Sequence, residues 1–333
     1  MRSREIRLKS RPEGRPGPEH FELAEVEVPA PAPGEVQVRN RWMSVDPYMR
    51  GRMTDRPSYV PPFQLGKALE GGAVGEVTAS ADPGFTPGDR VLSMLGWREA
   101  FTAPAAALTK LETHGLPEQA FLGAAGMPGL TAWVGLLKIA EAKAGDVVFV
   151  SGAAGAVGSV VCQIAKIKGC TVIGSAGGRE KLDWLEEIGV DHAFDYHEEP
   201  DLEAAIRRVA PRGIDVYFDN VGGPHLEAAL AAARPFARFA ICGMISGYND
   251  MDNKPGPRNL PLIIGKRLKL QGFIVSDHLA EGPAAQRDFA SWAAAGKLKW
   301  RETVDHGIEA APGAFLKLFT GGNIGKMLVK LGD

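Results

Sequence analysis

The feature that most constrains the fold of this chain is a glycine-rich segment at residues 146–169, DVVFVSGAAGAVGSVVCQIAKIKG. Asp146 is followed by an unbroken apolar run, VVFV, which is typical of a strand buried on both faces of a parallel sheet. Beyond the turn, apolar residues recur from Val157 to Ile167 at helical spacing, and Gly169 can end the helix. The segment therefore predicts a strand, a tight turn and a helix.

The turn fits the fingerprint of a dinucleotide-binding loop, with alanine in place of the first glycine and Gly152 beside it to supply the tight turn. Gly155 lets the backbone approach a pyrophosphate closely, and Gly158 lets the helix lie against the strand. The amides at the positive end of the helix would face the phosphates. Because a strand and a helix flank the turn, the pattern favours dinucleotide binding over an ordinary Gly/Ala-rich connection.

The next predicted strand, residues 171–175, indicates which dinucleotide is bound. In NAD-binding proteins this strand ends in an acidic residue that binds the ribose hydroxyls. Here it continues as AGGREK, without a carboxylate at that end and with two cations, Arg179 and Lys181. The pattern favours a 2′-phosphate and therefore NADP. The alternative, that both cations are only solvent-exposed side chains in the first turn of the following helix, stays open.

Length and composition limit the class of protein. A chain of 333 residues can form two domains, and a formal net charge of -2 without a basic block predicts no nucleic-acid or membrane partner. No apolar run has the length of a membrane span and the first residues lack a signal-peptide core, so a cytoplasmic location is expected. Cys162, Cys170 and Cys242 are too scattered for a disulfide framework, and buried thiols are expected.

The periodicity of the chain changes twice, which predicts two domains. Residues 1–121 show short strands separated by prolines and glycines, typical of a small barrel or sandwich. Residues 122–300 alternate strands and helices, which predicts a doubly wound parallel sheet with its ligand at the carboxyl ends of the strands. Residues 301–333 return to short strands and are expected to complete the first domain. The irregular stretch at 249–261 is long enough to suggest a functional loop.

Six motifs together carry a family resemblance. They are DPYMR at residues 46–50, GMPGLTA at 126–132, the Gly155 turn, DNVGG at 219–223, ICGMIS at 241–246 and GNIGK at 322–326. Spread in this order over nearly the whole chain, they resemble the zinc-free branch of the medium-chain dehydrogenase/reductase superfamily. Within that branch, the leukotriene B4 dehydrogenase/prostaglandin reductases and the NADPH-dependent curcumin reductases are the most similar.

The resemblance implies an α/β fold with a doubly wound parallel Rossmann sheet that binds NADP, a GroES-like β-barrel substrate domain, an active-site cleft between them, and a homodimer. It also implies that NADPH contacts the glycine turn, that Lys181 binds the 2′-phosphate and that Tyr196 lies near the adenosine half. The implied contacts are Gly155, Ala156, Val157, Gly158, Asn220, Cys242, Gly243, Met244, Ile245, Ser246, Phe273, Ile274, Val275 and Asn323. For Asn220, simple turn chemistry after a strand is the alternative.

The sequence predicts no zinc site. Zinc members of the superfamily need cysteine and histidine ligands, yet the stretch that would carry a Gly-His-Glu motif reads ALEGG at residues 68–72. No cysteine occurs before Cys162, and the seven histidines show no ligand or triad spacing. The carbonyl group of a substrate would therefore be polarised by hydrogen bonds.

These features predict the reaction class. Hydride addition to the β-carbon of an enone needs only a donor on the carbonyl oxygen while enolate charge develops, and then a proton at the α-carbon. Tyr48 and Tyr248 are expected to face the cleft as donors, although each could be an ordinary half-buried aromatic. The hypothesis is an NADPH-dependent reductase of the C=C bond in α,β-unsaturated ketones or aldehydes. An NADPH quinone reductase and a catalytically silent NADPH-binding sensor are the alternatives.

Overall fold

The computed structural model describes residues 1–250 and 256–332, and the chain there divides into two units. One unit contains residues 1–122 and the residues from Glu302 onward, and the other contains residues 123–301. Within the irregular stretch predicted at 249–261, residues 251–255 lie outside the described residues. Among the described residues, no helix is long and apolar enough to cross a membrane.

The secondary structure elements are numbered in chain order. The strands are β1 Arg2–Leu8, β2 Phe21–Glu27, β3 Glu35–Ser44, β4 Ala73–Ser80, β5 Arg90–Ser93, β6 Ala100–Pro104, β7 Thr109–Lys110, β8 Val147–Val150, β9 Thr171–Ala176, β10 His192–Asp195, β11 Ile214–Asp219, β12 Ala233–Ile241, β13 Lys269–Gly272, β14 Glu302–His306 and β15 Lys326–Lys330. The α-helices are α1 Met49–Arg52, α2 Met127–Val134, α3 Gly158–Ile167, α4 Arg179–Glu187, α5 Leu202–Val209, α6 Gly223–Ala232, α7 Leu262–Lys266, α8 Gly282–Ala294 and α9 Ala311–Lys317.

The second unit is built on a six-stranded sheet with the order β10-β9-β8-β11-β12-β13. Its strand pairs are parallel. Val148, Phe149 and Val150 of the central strand β8 are fully buried, because helices and loops cover both faces of a parallel sheet. The order is that of a Rossmann fold, in which the direction of winding reverses between β8 and β11. The predicted doubly wound α/β fold is confirmed.

The first unit contains a separate, mostly antiparallel sheet with the order β14-β15-β3-β4-β5-β7, in which β6 also pairs with β3. The strands β1 and β2 form an antiparallel pair of their own. Trp97, Phe21 and Phe315 lie in its core with ring centroids 6.1 to 6.2 Å apart. Because β15 pairs with β3, the last strands of the chain belong to the same sheet as β3 to β7.

Three of the predicted elements differ in the structure, and β10 was not predicted. The strand predicted at 268–275 ends at Gly272, because a 3-10 turn, Val275–Glu281, begins three residues later. The strand predicted at 237–243 runs from Ala233 to Ile241, and Phe236 within it has a φ of 67°, which interrupts the alternation. The helix predicted near residues 130–138 is α2 followed by a π-helical turn, Gly135–Ile139.

The cysteines also differ in part from the expectation. Cys162 and Cys170 are buried as expected, whereas Cys242 is only half-buried. It follows the carboxyl end of β12.

Candidate functional site

The glycine turn after β8 has the geometry that its sequence predicts. Gly152 has a φ of 59°, in the left-handed region that favours glycine. A Cβ atom at Gly158 would lie 2.3 Å from the Gly152 carbonyl oxygen, and one at Gly155 would lie 3.3 Å from the same atom. The amide of Ala153 donates to the Ser175 carbonyl at 2.9 Å, which anchors the turn to β9. Any side chain at position 158 would push the turn away from α3.

The turn places the amino end of α3 next to the carboxyl end of β8. No side chain caps this end, and the first turn carries no acidic residue. The amides of Ser159 and Val160 donate to the Gly155 and Val157 carbonyls at 3.0 and 3.1 Å, and the positive end of the helix favours an anion. The predicted contacts Gly155 to Gly158 lie at this end of the helix, and their contact with a pyrophosphate stays a prediction.

The two predicted cations lie in the first turn of α4, just after β9, and their environments differ. Lys181 is half-buried, and burial lowers its pKa while the Asp195 carboxylate opposes that shift. Arg179 is 78% exposed and forms an ion pair of 2.6 Å with Asp183. Gly178, with a φ of 91°, precedes α4, which no side chain caps. Of the two side chains, that of Lys181 is the more buried.

Tyr196 lies at the same turn. Its amide donates to the Ala176 carbonyl at 3.1 Å, and its phenol oxygen would lie 3.1 Å from a Cβ atom at Gly177. Burial raises the pKa of Tyr196, and the Asp195 carboxylate adds to the increase. The structure therefore brings Tyr196 to the turn that carries Lys181.

Asp219 joins the ends of β8 and β11, a role that sequence reasoning missed. Its Oδ1 atom accepts hydrogen bonds from Ser151 Oγ at 3.1 Å, the Tyr217 hydroxyl at 2.7 Å and the Gly222 amide at 2.7 Å. Burial raises the pKa of this carboxyl group. Its only signal in the sequence was its place at the start of the DNVGG motif, and that motif was interpreted for Asn220 instead.

Asn220 is held against the end of β8. Its Nδ2 atom donates to the Ser151 carbonyl at 2.8 Å, and its amide donates to Ser151 Oγ at 3.0 Å. Its carbonyl accepts from the Ile245 amide at 3.3 Å. Asn220 thus has the turn chemistry given as the alternative, and its contact with a cofactor stays a prediction.

The segment after β12 lies against the end of β11. The Asp219 carbonyl accepts hydrogen bonds from the amides of Cys242 and Gly243 at 3.0 and 2.9 Å. Ser246 Oγ donates to the Val221 carbonyl at 2.6 Å. Burial raises the pKa of Cys242 to about 12, and the Asp219 charge adds to the increase. The thiol therefore stays protonated at neutral pH and acts as a neutral packing group.

Tyr248 closes over this segment. The amide of Met244 donates to the Tyr248 hydroxyl at 3.3 Å, and a Cβ atom at Gly243 would lie 3.1 Å from the same oxygen. Met244 is 39% exposed. The predicted residues Cys242 to Ser246 and Tyr248 are therefore neighbours.

Phe273, Ile274 and Val275 lie just beyond β13 and are half-buried. The Phe273 ring meets the Phe218 ring edge to face at a centroid distance of 6.4 Å. Both rings lie so close to Gly135 that a Cβ atom there would be 2.6 Å from Phe273 and 2.5 Å from Phe218. Phe273 is thus packed onto the π-helical turn, and its predicted cofactor contact stays a prediction.

Tyr48 and Asn323 lie in the other unit. Tyr48 immediately precedes α1 and is half-buried, and burial together with the Asp46 carboxylate raises its pKa. Lys326 Nζ donates to the Asp46 carboxylate at 2.7 Å and to the Val45 carbonyl at 2.9 Å. Asn323 Nδ2 donates to the Gly325 carbonyl at 3.0 Å. The DPYMR and GNIGK motifs therefore meet through one buried ion pair.

Within the described residues, no group of three or more His, Cys, Asp or Glu side chains is arranged to hold a metal ion.

Two family models match the chain. The model described as the N-terminal domain of oxidoreductase matches residues 4–111, and that of zinc-binding dehydrogenase matches residues 156–292. The chain is 41% identical to the NADPH-dependent curcumin reductase of Escherichia coli, with 99% of this chain and 97% of the relative covered. It is 42% identical to the NADP(+)-dependent 2-alkenal reductase of Nicotiana tabacum, with 98% and 97% covered.

A solved structure is similar over the same length. The crystal structure of CurA from Vibrio vulnificus in complex with NADPH superimposes with a TM-score of 0.93 at 39% identity, covering 99% of each chain.

Proposed function

Because the chain belongs to the medium-chain dehydrogenase/reductase superfamily, we propose that it is an NADPH-dependent reductase of the C=C bond in α,β-unsaturated ketones or aldehydes. The family resemblance drawn from its motifs is thereby confirmed. The observation that carries the proposal is identity of 41 to 42% over nearly the full length of two relatives, a curcumin reductase and a 2-alkenal reductase. The first is named as NADPH-dependent and the second as NADP(+)-dependent, and a 2-alkenal is an α,β-unsaturated aldehyde.

In the second unit, residues at the ends of different strands bind different parts of the dinucleotide. The backbone from Gly155 to Gly158 binds the pyrophosphate, and Lys181 with Arg179 binds the 2′-phosphate. Tyr196 lies beside the adenosine half. The proposed contacts with the ribose and nicotinamide are Asn220, the segment 242–246, residues 273–275 and, from the first unit, Asn323. When bound, NADPH supplies the hydride.

Two tyrosines supply the donors that the reaction needs. Tyr248 is the first candidate, because its hydroxyl lies at the backbone of Gly243 and Met244, within the proposed nicotinamide segment. Tyr48 is the second, and its raised pKa keeps the phenol protonated and able to donate at neutral pH. A phenol that hydrogen-bonds the carbonyl oxygen stabilises the enolate that forms after hydride addition.

The experiment that tests this function compares three substrates with the purified protein: a 2-alkenal, its saturated analogue and a quinone. We expect NADPH consumption with the alkenal, none with the saturated aldehyde, and a saturated product that carries deuterium at the β-carbon when deuterated NADPH is used. Faster turnover of the quinone would favour the quinone reductase alternative. Tight NADPH binding without turnover of any compound would favour the silent sensor.

We also propose a cytoplasmic homodimer. The outer strand β13 has exposed residues, and Ile264 and Leu279 are 80% and 65% exposed. An edge strand and exposed large apolar side chains both support self-association. Sedimentation analysis of the protein and fractionation of expressing cells test the two statements separately.

A further inference from the structure

The end of β10 brings a histidine to the turn that follows β9. The two strands are parallel neighbours, with Asp195 opposite Ala176. The next residues, Tyr196 and His197, therefore come to lie beside Gly177. A Cβ atom at Gly177 would be 2.7 Å from the His197 Nε2 atom and 3.1 Å from the Tyr196 hydroxyl. Both side chains thus close over the same glycine.

Asp195 fixes this arrangement through the backbone. One carboxylate oxygen accepts from the Gly178 amide at 2.7 Å, and the other accepts from the His197 amide at 2.9 Å. The rings of Tyr196 and His197 lie 4.2 Å apart between centroids. His197 is exposed, its backbone is fixed by Asp195, and its ring lies beside that of Tyr196.

The charged groups around the turn come from three elements. Lys181 of α4 lies within electrostatic range of Asp195 and Glu180. From α6, His225 meets the Tyr196 ring at 5.2 Å between centroids. Because both oxygens of Asp195 accept backbone amides, the side chains here that can donate to an anion are those of Lys181, Arg179, Tyr196 and His197.

In a Rossmann fold, the ribose that carries the 2′-phosphate lies at the end of the second strand, which is β9 in this chain. We propose that His197 is a further specificity-determining residue that donates a hydrogen bond from Nε2 to the 2′-phosphate of NADPH. When protonated, His197 also attracts the 2′-phosphate by its positive charge, and NADH has no phosphate at this position. This inference rests on the proposed NADPH dependence.

Calorimetric titration of the full chain with 2′,5′-ADP and with 5′-AMP tests the inference, since the two ligands differ only in the 2′-phosphate. His197→Phe keeps an aromatic ring beside Tyr196 but removes the donor. We expect it to weaken 2′,5′-ADP binding roughly ten-fold and to leave 5′-AMP binding unchanged. His192→Gln, an exposed histidine of the same strand, is the matched control and should alter neither affinity.

A second variant separates hydrogen bonding from ring packing. His197→Gln keeps an N–H donor but loses the aromatic ring. We expect it to retain more of the 2′,5′-ADP affinity than His197→Phe does and to leave 5′-AMP binding unchanged.

Two results would overturn the inference. One is an unchanged 2′,5′-ADP affinity in His197→Phe. The other is an equal loss of affinity for 2′,5′-ADP and 5′-AMP, which would indicate a packing role. If wild-type protein itself does not prefer 2′,5′-ADP over 5′-AMP, the proposed NADPH dependence fails instead.

Discussion

The Lys326 ammonium group lies 2.7 Å from the Asp46 carboxylate, although only 5% and 9% of the two side chains are exposed. Lys326 also donates to the Val45 carbonyl, and Ser44 Oγ donates to the second oxygen of Asp46. This buried network fixes the backbone two residues before Tyr48 and three residues after Asn323. One ion pair therefore supports two of the predicted site residues.

Removing one partner of this pair should be costly. Lys326→Met leaves a buried carboxylate without its cation, and we expect the free energy of unfolding to fall by about 3 to 5 kcal/mol in urea titrations. Lys110→Met, which breaks a half-exposed pair with Asp89 in the same sheet, is the control and should cost about 0 to 1 kcal/mol. Equal losses in the two variants would contradict the role assigned to burial.

A methyl group at Gly158 should damage the turn between β8 and α3. Its Cβ atom would lie 2.3 Å from the Gly152 carbonyl oxygen, which is backbone and cannot swing away. We expect Gly158→Ala to cost about 1 to 3 kcal/mol of stability and to weaken NADPH binding. In α7, Gly265→Ala meets no atom within 4 Å, so it should be neutral or stabilising. Thermal unfolding and calorimetric NADPH titration measure both effects.

The two cations after β9 should contribute unequally to cofactor selection. Lys181 is half-buried beside Asp195, whereas Arg179 is 78% exposed and paired with Asp183. We expect Lys181→Ala to raise the Kd of NADPH roughly ten- to hundred-fold with little effect on NADH, and Arg179→Ala to raise it by a smaller factor. An unchanged ratio of NADPH to NADH affinity in Lys181→Ala would show that the 2′-phosphate binds elsewhere.

The central part of the fold could be predicted from the sequence because its signals are local. The buried run of β8 and the helical spacing of α3 occupy adjacent residues, and both elements appear within a residue or two of the predicted bounds. The strand β10 was missed because only Phe194 of its four residues is buried, which leaves no alternation to recognise.

The parts of the site that were missed depend on long-range register. His197 meets Gly177 only because β10 lies parallel to β9. Lys326 and Asp46 are separated by 280 positions in the chain, so no local pattern could pair them. Asp219 is similar, because its partner Ser151 ends a strand that becomes its neighbour only in the folded sheet. Periodicity identifies elements, whereas these contacts follow from how the elements are ordered.

His225 should make the stability of the protein depend on pH. Its side chain is buried among Phe149 and Tyr196, and burial lowers its pKa to about 4 from an ordinary value of about 6.5. Between these two values the unfolded chain binds the proton and the folded chain does not. The free energy of unfolding therefore has its full value above pH 6.5 and decreases as the pH falls toward 4. From pH 7 to pH 5, wild-type protein should lose about 2 kcal/mol more than His225→Phe in urea titrations. His114→Gln, at a side chain that is 78% exposed, should follow the wild type. If His225→Phe loses as much stability as wild type over this range, then His225 is not kept neutral by burial.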